Sequence, residues 1–305
     1  MTDGIVVERL SKRFPPSRAM AIENVDLSVT PGRIAGIVGS NGAGKSTLIG
    51  VLTGIVRPTS GAAYVLGEDV STSKGAYRQR VGYVTDQSFL PPGLTPRELL
   101  TYSQLTYQHW DRERAAQLME AFELPIDRAV RSLSKGMRVQ LAFVQALAIR
   151  PRILLLDEPT SGLDVVVKRQ VMQLLLQEAD DGTAIVLATH NLDDLERVAD
   201  DVTILHRGHV VLQAATEDAR QIVRRFQAVY PQGLPAELRD QPEIVRIDEQ
   251  GHVYTFIATD RSDRILAVLR SHEPTFLEEL DVDFEELFVQ LMVKEGYARE
   301  QILLA

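Results

Sequence analysis

The chain has no cysteine, which removes disulfide bridges and thiolate-held metal sites and fits a reducing compartment. No apolar run comes near the roughly 20 residues that a bilayer-crossing helix needs. Met1 to Leu10 carries Asp3 and Glu8 in place of a basic and apolar export signal, so the chain is expected to stay in the cytosol. Positive charge is also in short supply. The 33 Lys and Arg stand against 42 Asp and Glu, a formal net charge of -9, so duplex phosphate is on average repelled and no nucleic-acid partner is expected. The sequence has no fixed-period repeat and no low-complexity tract. What remains is globular composition, 45% hydrophobic and 25% charged over 305 residues, enough for one large domain and a smaller one.

Apolar runs that read as strands (Ile34 to Val38, Val81 to Val84, Ile153 to Leu156, Ala184 to Ala188) are separated by segments of helical periodicity. That pattern predicts an α/β fold with a largely parallel sheet. Three of the runs end at chemically loaded residues, and open α/β sheets bind ligands outside the carboxyl ends of their strands. From about 88 to 150 the strand pattern stops, and helices are expected at Pro96 to Tyr107, Arg112 to Phe122 and Gly136 to Ile149, as a helical insertion. Past Gln213 the breakers Pro231, Gly233, Pro235 and Pro242 precede an alternating stretch, Val253 to Ile257. A small α+β domain is therefore expected over 214–305, following a larger one over 1–213. Its last helix carries Phe284, Leu287, Phe288 and Leu291 at i, i+3, i+4 and i+7. This stripe either packs on its own domain or meets a second copy.

Gly39, Ser40, Asn41, Gly42, Ala43, Gly44, Lys45 and Ser46 match G-x-x-x-x-G-K-[ST], directly after the run Ile34 to Val38 and before a helical run from Thr47 to Thr53. Glycines let backbone N–H groups turn inward around phosphates, and the helix start adds its positive end. Lys45 can reach the outer phosphates and Ser46 can ligate Mg²⁺. By itself the loop says only nucleoside triphosphate. Ile153 to Leu156 leads to Asp157 and Glu158, and strand alternation points successive side chains to opposite faces. Asp157 is then expected to hold Mg²⁺ or its water, and Glu158 to polarise an attacking water. His190 follows the run Ala184 to Thr189, at the same edge, where it can hold the γ-phosphate or the water; a lone histidine in that place is more often unremarkable.

These residues together resemble the ATP-binding cassette family, and a further motif supports the likeness. Leu133-Ser134-Lys135-Gly136-Met137 stands before a helix as the family's signature does, departing from the commoner LSGGQ form and similar to the variant in cassettes of ABC-2-type exporters. Ser161-Gly162-Leu163-Asp164 resembles the D-loop, and Phe14 the aromatic that stacks on adenine. The resemblance covers residues 4 to 213. It implies a P-loop NTPase core that hydrolyses ATP with Mg²⁺, His190 as the switch histidine, and an ATP sandwich. In that sandwich Lys45 and Ser46 of one subunit and Ser134 of another grip the same nucleotide. One set of motifs implies pairing with a second copy or a sister chain. The power stroke would act on a separate transmembrane permease, placing this chain at the cytoplasmic face of the membrane.

One departure concerns the family's Mg²⁺-sensing glutamine after Val81 to Val84. Counting back from Leu94-Thr95 puts Asp86 at that position, with Gln87 next to it. The insertion beside this loop is expected to dock the permease, with Phe89 and Leu90 as an apolar anchor. Two other readings stand beside transport: a soluble cassette acting on ribosomes or DNA, and a regulatory module that binds nucleotide without hydrolysis. The pair Asp157 and Glu158 speaks against the second.

Overall fold

A computed structural model describes residues 3–85, 90–259, 263–282 and 284–294; Asp86, Gln87 and Phe89 lie outside the described residues. The chain divides into two compact units, Met1–Gln213 and Ala214–Ala305. The first unit begins with β1 (Ile5–Arg13) and β2 (Met20–Val29), then β3 (Ile34–Val38) and α1 (Lys45–Leu52). β4 (Ser60–Val65), β5 (Glu68–Asp69) and β6 (Val81–Thr85) follow. Three helices come next: α2 (Pro96–Thr106), α3 (Arg112–Ala121) and α4 (Lys135–Ala148). The chain then alternates through β7 (Ile153–Asp157), α5 (Val165–Asp180), β8 (Ala184–Thr189) and α6 (Leu192–Val198) to β9 (Asp201–His206) and β10 (His209–Ala215). Among the described residues no helix is long and apolar enough to cross a membrane.

The main sheet has the order β10-β9-β3-β8-β7-β6. β3 pairs in parallel with β8 and β9, and β7 with β6 and β8. Every residue of β3, β7 and β8 is buried. This is why they read as continuous apolar runs: a parallel strand covered on both faces has no polar side to show. A second sheet, β2-β1-β4-β5, is antiparallel at the pairs β1–β2, β1–β4 and β4–β5, and apolar runs did not announce it. Register shifts between Val7, Leu10 and Lys12, with Arg9 and Asn24 at φ 44° and 50°, break the two-residue period on which strand reading depends. One hydrophobic core joins the two sheets through α1, with Ile5, Leu10, Ile22, Ile37, Leu48 and Leu155 among its members.

Local signals start the helices of the insertion close to where periodicity puts them. Thr95 and Glu98 form a capping box with Pro96 at the first position of α2. Asp111 accepts from the Arg114 N–H at the start of α3, and Ser134 from the Met137 N–H at the start of α4. α4 packs on β6 and α3, burying Val139, Phe143, Val144 and Leu147.

The second unit contains α7 (Thr216–Arg220), β11 (Arg224–Val229), α8 (Ala236–Arg239), β12 (Ile244–Gln250), β13 (Val253–Ala258), α9 (Arg264–Ser271), β14 (Phe276–Leu280) and α10 (Phe284–Lys294). From β11 to β14 the elements run β-α-β-β-α-β. The sheet order β12-β13-β11-β14, antiparallel throughout, makes this the split βαβ, or ferredoxin-like, arrangement. Its core is Phe226, Tyr230, Leu238, Tyr254, Phe256, Ile265 and Leu269. On α10, Phe284 and Leu287 are buried in the single chain, α10 packs against α7, and the Arg220 guanidinium lies 5.9 Å from the Phe284 ring centre. These two stripe residues are thus covered without a second copy.

Burial pushes the Tyr230 phenol from 10.0 up to about 12, while its hydroxyl donates to the Leu269 carbonyl at 3.0 Å. The unfolded chain ionises first on raising the pH. Stability from this group is therefore complete below about pH 10 and is lost as pH climbs through about 12. Tyr230→Phe is expected to be less stable near neutrality, by about 1 kcal/mol for the lost hydrogen bond, and to lose less melting temperature between about pH 9 and pH 11 than the parent. Thermal melts at the two pH values check this; parallel losses in both proteins would contradict it.

Candidate functional site

β3 ends at Val38 and hands the chain to a loop that needs glycine at two places, Gly39 and Gly44. A Cβ on Gly39 would lie 2.2 Å from the Leu205 carbonyl oxygen. At Gly44, where φ is 112°, it would lie 2.5 Å from Ile22 Cγ2. Ala43, 2% exposed, anchors the middle, its N–H donating to Ser40 O at 3.0 Å and its carbonyl accepting from the Gly208 N–H at 2.9 Å. Asn41, Gly42 and Ser46 remain exposed, and Thr47 is half-buried. α1 begins at Lys45 without a side-chain cap, so its first-turn N–H groups point out of the helix end with the positive end of the dipole.

Lys45 is buried, 5% exposed. Its ammonium donates to Gly39 O at 2.7 Å and stands 3.3 Å from Glu158 Oε1. Glu158 lies one residue beyond β7, at φ 53°, with its N–H donating to Ala188 O at 2.8 Å. Strand alternation therefore stops at Asp157, and the left-handed turn, sparsely populated by non-glycine residues, sets the direction of Glu158. Its other oxygen, Oε2, is 2.7 Å from His190 Nδ1 and accepts from Thr189 Oγ1 and the His190 N–H, each at 3.3 Å. Facing a carboxylate, Nδ1 is the donor of the imidazole. Asp157 closes β7, 8% exposed, and β7 packs on α1.

The structure thus brings Gly39, Ser40, Lys45, Glu158 and His190 into one linked group. Ser134, Gly136 and Asp164 form another. A Cβ on Gly136 would lie 3.6 Å from Leu163 Cδ2, and one on Gly162 would lie 3.1 Å from Lys135 Nζ. Asp164 caps α5 by accepting from the Val166 and Val167 N–H groups at 3.0 and 3.1 Å. Among the described residues, no hydrogen bond or ion pair joins this second group to the phosphate loop. Phe14 is 43% exposed, and Lys12 Nζ lies 4.8 Å from its ring centre, a cation over an aromatic face. Sequence reading missed Thr189, whose hydroxyl becomes a partner of Glu158 only once β7 and β8 are in register.

The ABC transporter family model matches residues 22–161. The chain is 28% identical to the ABC transporter ATP-binding protein YtrB of Bacillus subtilis, over 93% of this chain and 97% of that protein. It is 36% identical to the daunorubicin/doxorubicin resistance ATP-binding protein DrrA of Streptomyces peucetius, over 72% of this chain and 67% of that one. The ATP-binding cassette MJ0796, solved as a dimer in a post-hydrolysis state with ADP and Pi, matches with a TM-score of 0.64 at 26% identity, covering 70% of this chain and 98% of that one. Cassettes of this kind bind ATP, work with separate transmembrane subunits and form dimers. A phosphate loop, a carboxylate and a histidine joined at the carboxyl edge of a parallel sheet, together with these relatives, make the chain a member of the ABC transporter family, the ATP-hydrolysing subunit of a transporter.

Proposed function

We propose that two copies of this chain close over ATP and open after hydrolysis, at the cytoplasmic face of the membrane, to drive export through a separate permease. The observation that carries the chemistry is the continuous link from Lys45 through Glu158 to His190, at 3.3 and 2.7 Å. The Lys45 ammonium is met by a loop carbonyl and by Glu158. The outer phosphates of ATP compete for that ammonium, leaving Glu158 held by His190 and Thr189 and able to polarise water for attack on the γ-phosphorus. The bond to ADP breaks as the new P–O bond forms, and the loop N–H groups from Gly39 to Thr47 steady the charge. Phe14 offers a ring face to adenine.

Ser46 and Asp157 fit Mg²⁺, a hard cation that takes hydroxyl and carboxylate oxygens and is usually completed by phosphates and water. When bound, it neutralises charge on the outer phosphates. Asp86 or Gln87 is proposed as a further contact. In a single chain Ser134 and Gly136 lie beside the Asp164 segment and, among the described residues, share no hydrogen bond or ion pair with the phosphate loop, which supports their meeting the nucleotide of a second copy. The signature Leu133 to Met137 and the likeness to a drug-resistance ATP-binding protein support export. The unit over 214–305 is proposed as an accessory domain to the cassette over 1–213.

For the permease contact, α2 offers Tyr102 and Leu105, 66% and 80% exposed, beside a cleft of about 260 Å³ lined by Leu90, Ser103, Tyr107 and Gln145. Large apolar groups this open suit an interface. Leu90 itself is only half-exposed.

Lys45→Ala is expected to abolish tight ATP binding. Glu158→Gln should keep binding, lose turnover by about 10² to 10⁴, and accumulate an ATP-held dimer on size-exclusion chromatography. Near-normal hydrolysis by Glu158→Gln would remove Glu158 from its role. Replacing Tyr102 and Leu105 together with Ser should reduce co-purification with the permease while ATP affinity of the isolated chain stays within a few-fold; undiminished co-purification would place the docking surface elsewhere.

A further inference from the structure

Asp194 is a carboxylate only 2% exposed, and none of the roles proposed above uses it. It is the third residue of α6, whose cap is Asn191. Local logic would turn an acid there back to the N–H of its own cap residue, as in a capping box. That does not happen. The Asn191 N–H donates instead to Thr189 Oγ1 at 3.0 Å, and Asn191 Oδ1 accepts from the Asp194 N–H at 3.1 Å. The Asp194 carboxylate is spent on long-range partners. Oδ1 lies 2.6 Å from Lys168 Nζ, and Oδ2 accepts from Thr160 Oγ1 at 2.9 Å in a buried bond.

Those partners sit on the segments that carry the site. Thr160, 7% exposed, is two residues past Glu158. Lys168 is the fourth residue of α5, where its N–H closes the first turn by donating to the Asp164 carbonyl at 2.9 Å. Asp194 itself is four residues past His190. One carboxylate therefore ties together the exit of the acidic strand, the helix capped by Asp164 and the helix that follows the histidine. A second link closes the loop, from Asn191 through Thr189 Oγ1 to Glu158 Oε2. Burying a carboxylate is expensive unless it is paired and hydrogen-bonded. Here each oxygen has one partner, and both are kept only while all three segments keep their places.

We propose that Asp194 is a positioning residue for ATP hydrolysis: through Thr160 and Lys168 it holds Glu158 and His190 in register with each other and with the Asp164 segment. The proposal rests on the reading of Glu158 as the group that acts on water. Its effect falls on turnover, because the network reaches Glu158 through Thr189 and meets the phosphate loop only at second hand, through the contact of Glu158 with Lys45. A displacement of about an ångström at a reacting group costs on the order of a hundredfold in rate.

The test uses the full chain and measures kcat and KM for ATP, nucleotide affinity by equilibrium binding, and the melting temperature. Asp194→Ala and Thr160→Val are expected to lower kcat by roughly tenfold to a hundredfold, with nucleotide Kd within about threefold and a single cooperative melt. Thr160→Ser, which keeps the donor, should recover most of the rate lost in Thr160→Val. Should Asp194→Ala fail to fold, Asp194→Asn and the Thr160 pair carry the same comparison. Unchanged kcat in Asp194→Ala, or equal rates for Thr160→Val and Thr160→Ser, overturns the proposal. So does a loss of nucleotide affinity in proportion to rate, which marks general damage. Glu158→Gln is measured alongside: if it is arrested while Asp194→Ala turns over fully, only this inference fails, whereas if Glu158→Gln turns over normally, the reading of Glu158 fails and this inference with it.

Discussion

Parallel pairing of β3, β8 and β7 sets their ends almost level, Val38 against Thr189 and Asp157 against Ala188. Because all three strands point the same way, each delivers its next residues to one edge: the glycine loop from β3, Glu158 from β7, His190 from β8. Carboxyl ends of parallel strands suit ligands for this reason. Changing the pairing of β8 by one residue would turn its side chains to the other face and separate Thr189 and His190 from Glu158. The continuous apolar character of the three strands keeps them inside the sheet, and a fixed position inside the sheet holds the polar groups at its rim.

At that rim the charges are paired with one another. Lys45 is nearly buried, and a buried ammonium needs acceptors; it has Gly39 O and Glu158. Glu158 has a cation on one oxygen and imidazole, hydroxyl and amide donors on the other. Lys45, Glu158 and His190 thus keep one another in place. The left-handed backbone at Glu158 is held against its intrinsic preference by a hydrogen bond to β8, so the strain and the sheet pairing are coupled.

The second unit follows a different logic. Its sheet is antiparallel and its apolar residues alternate, with Phe226 and Ala228 buried while Arg225 is exposed. Helix α9 brings Ile265 and Leu269 to the same core. Arg224 donates to Glu279 through Nε and Nη2, at 2.7 Å each, and meets Asp263 through Nη1, tying β11 to β14 and to the start of α9. Two-pronged pairing of this kind adds direction as well as strength. The unit has a core of its own and charged ties of its own.

Much of the first unit could be read from the residues because its signals are local. Gly39, Gly44 and Lys45 are spaced along one turn of chain; Thr95, Asp111, Ser134 and Asp164 begin helices through bonds to residues two or three places on; and β3, β7 and β8 declare themselves by burial on both faces. The antiparallel sheet of β1, β2 and β4 escaped because bulges at Arg9 and Asn24 break the alternation. Asp194 shows the other limit: its sequence context predicts a local cap, and only the packing of α6 against α5 turns it to Lys168 and Thr160. The sequence alone determined that this chain binds a nucleoside triphosphate, because backbone turns and helix starts depend on neighbours a few residues away. The tertiary structure alone decided which carboxylate meets which cation or histidine, because those partners lie on different strands and only sheet register brings them together.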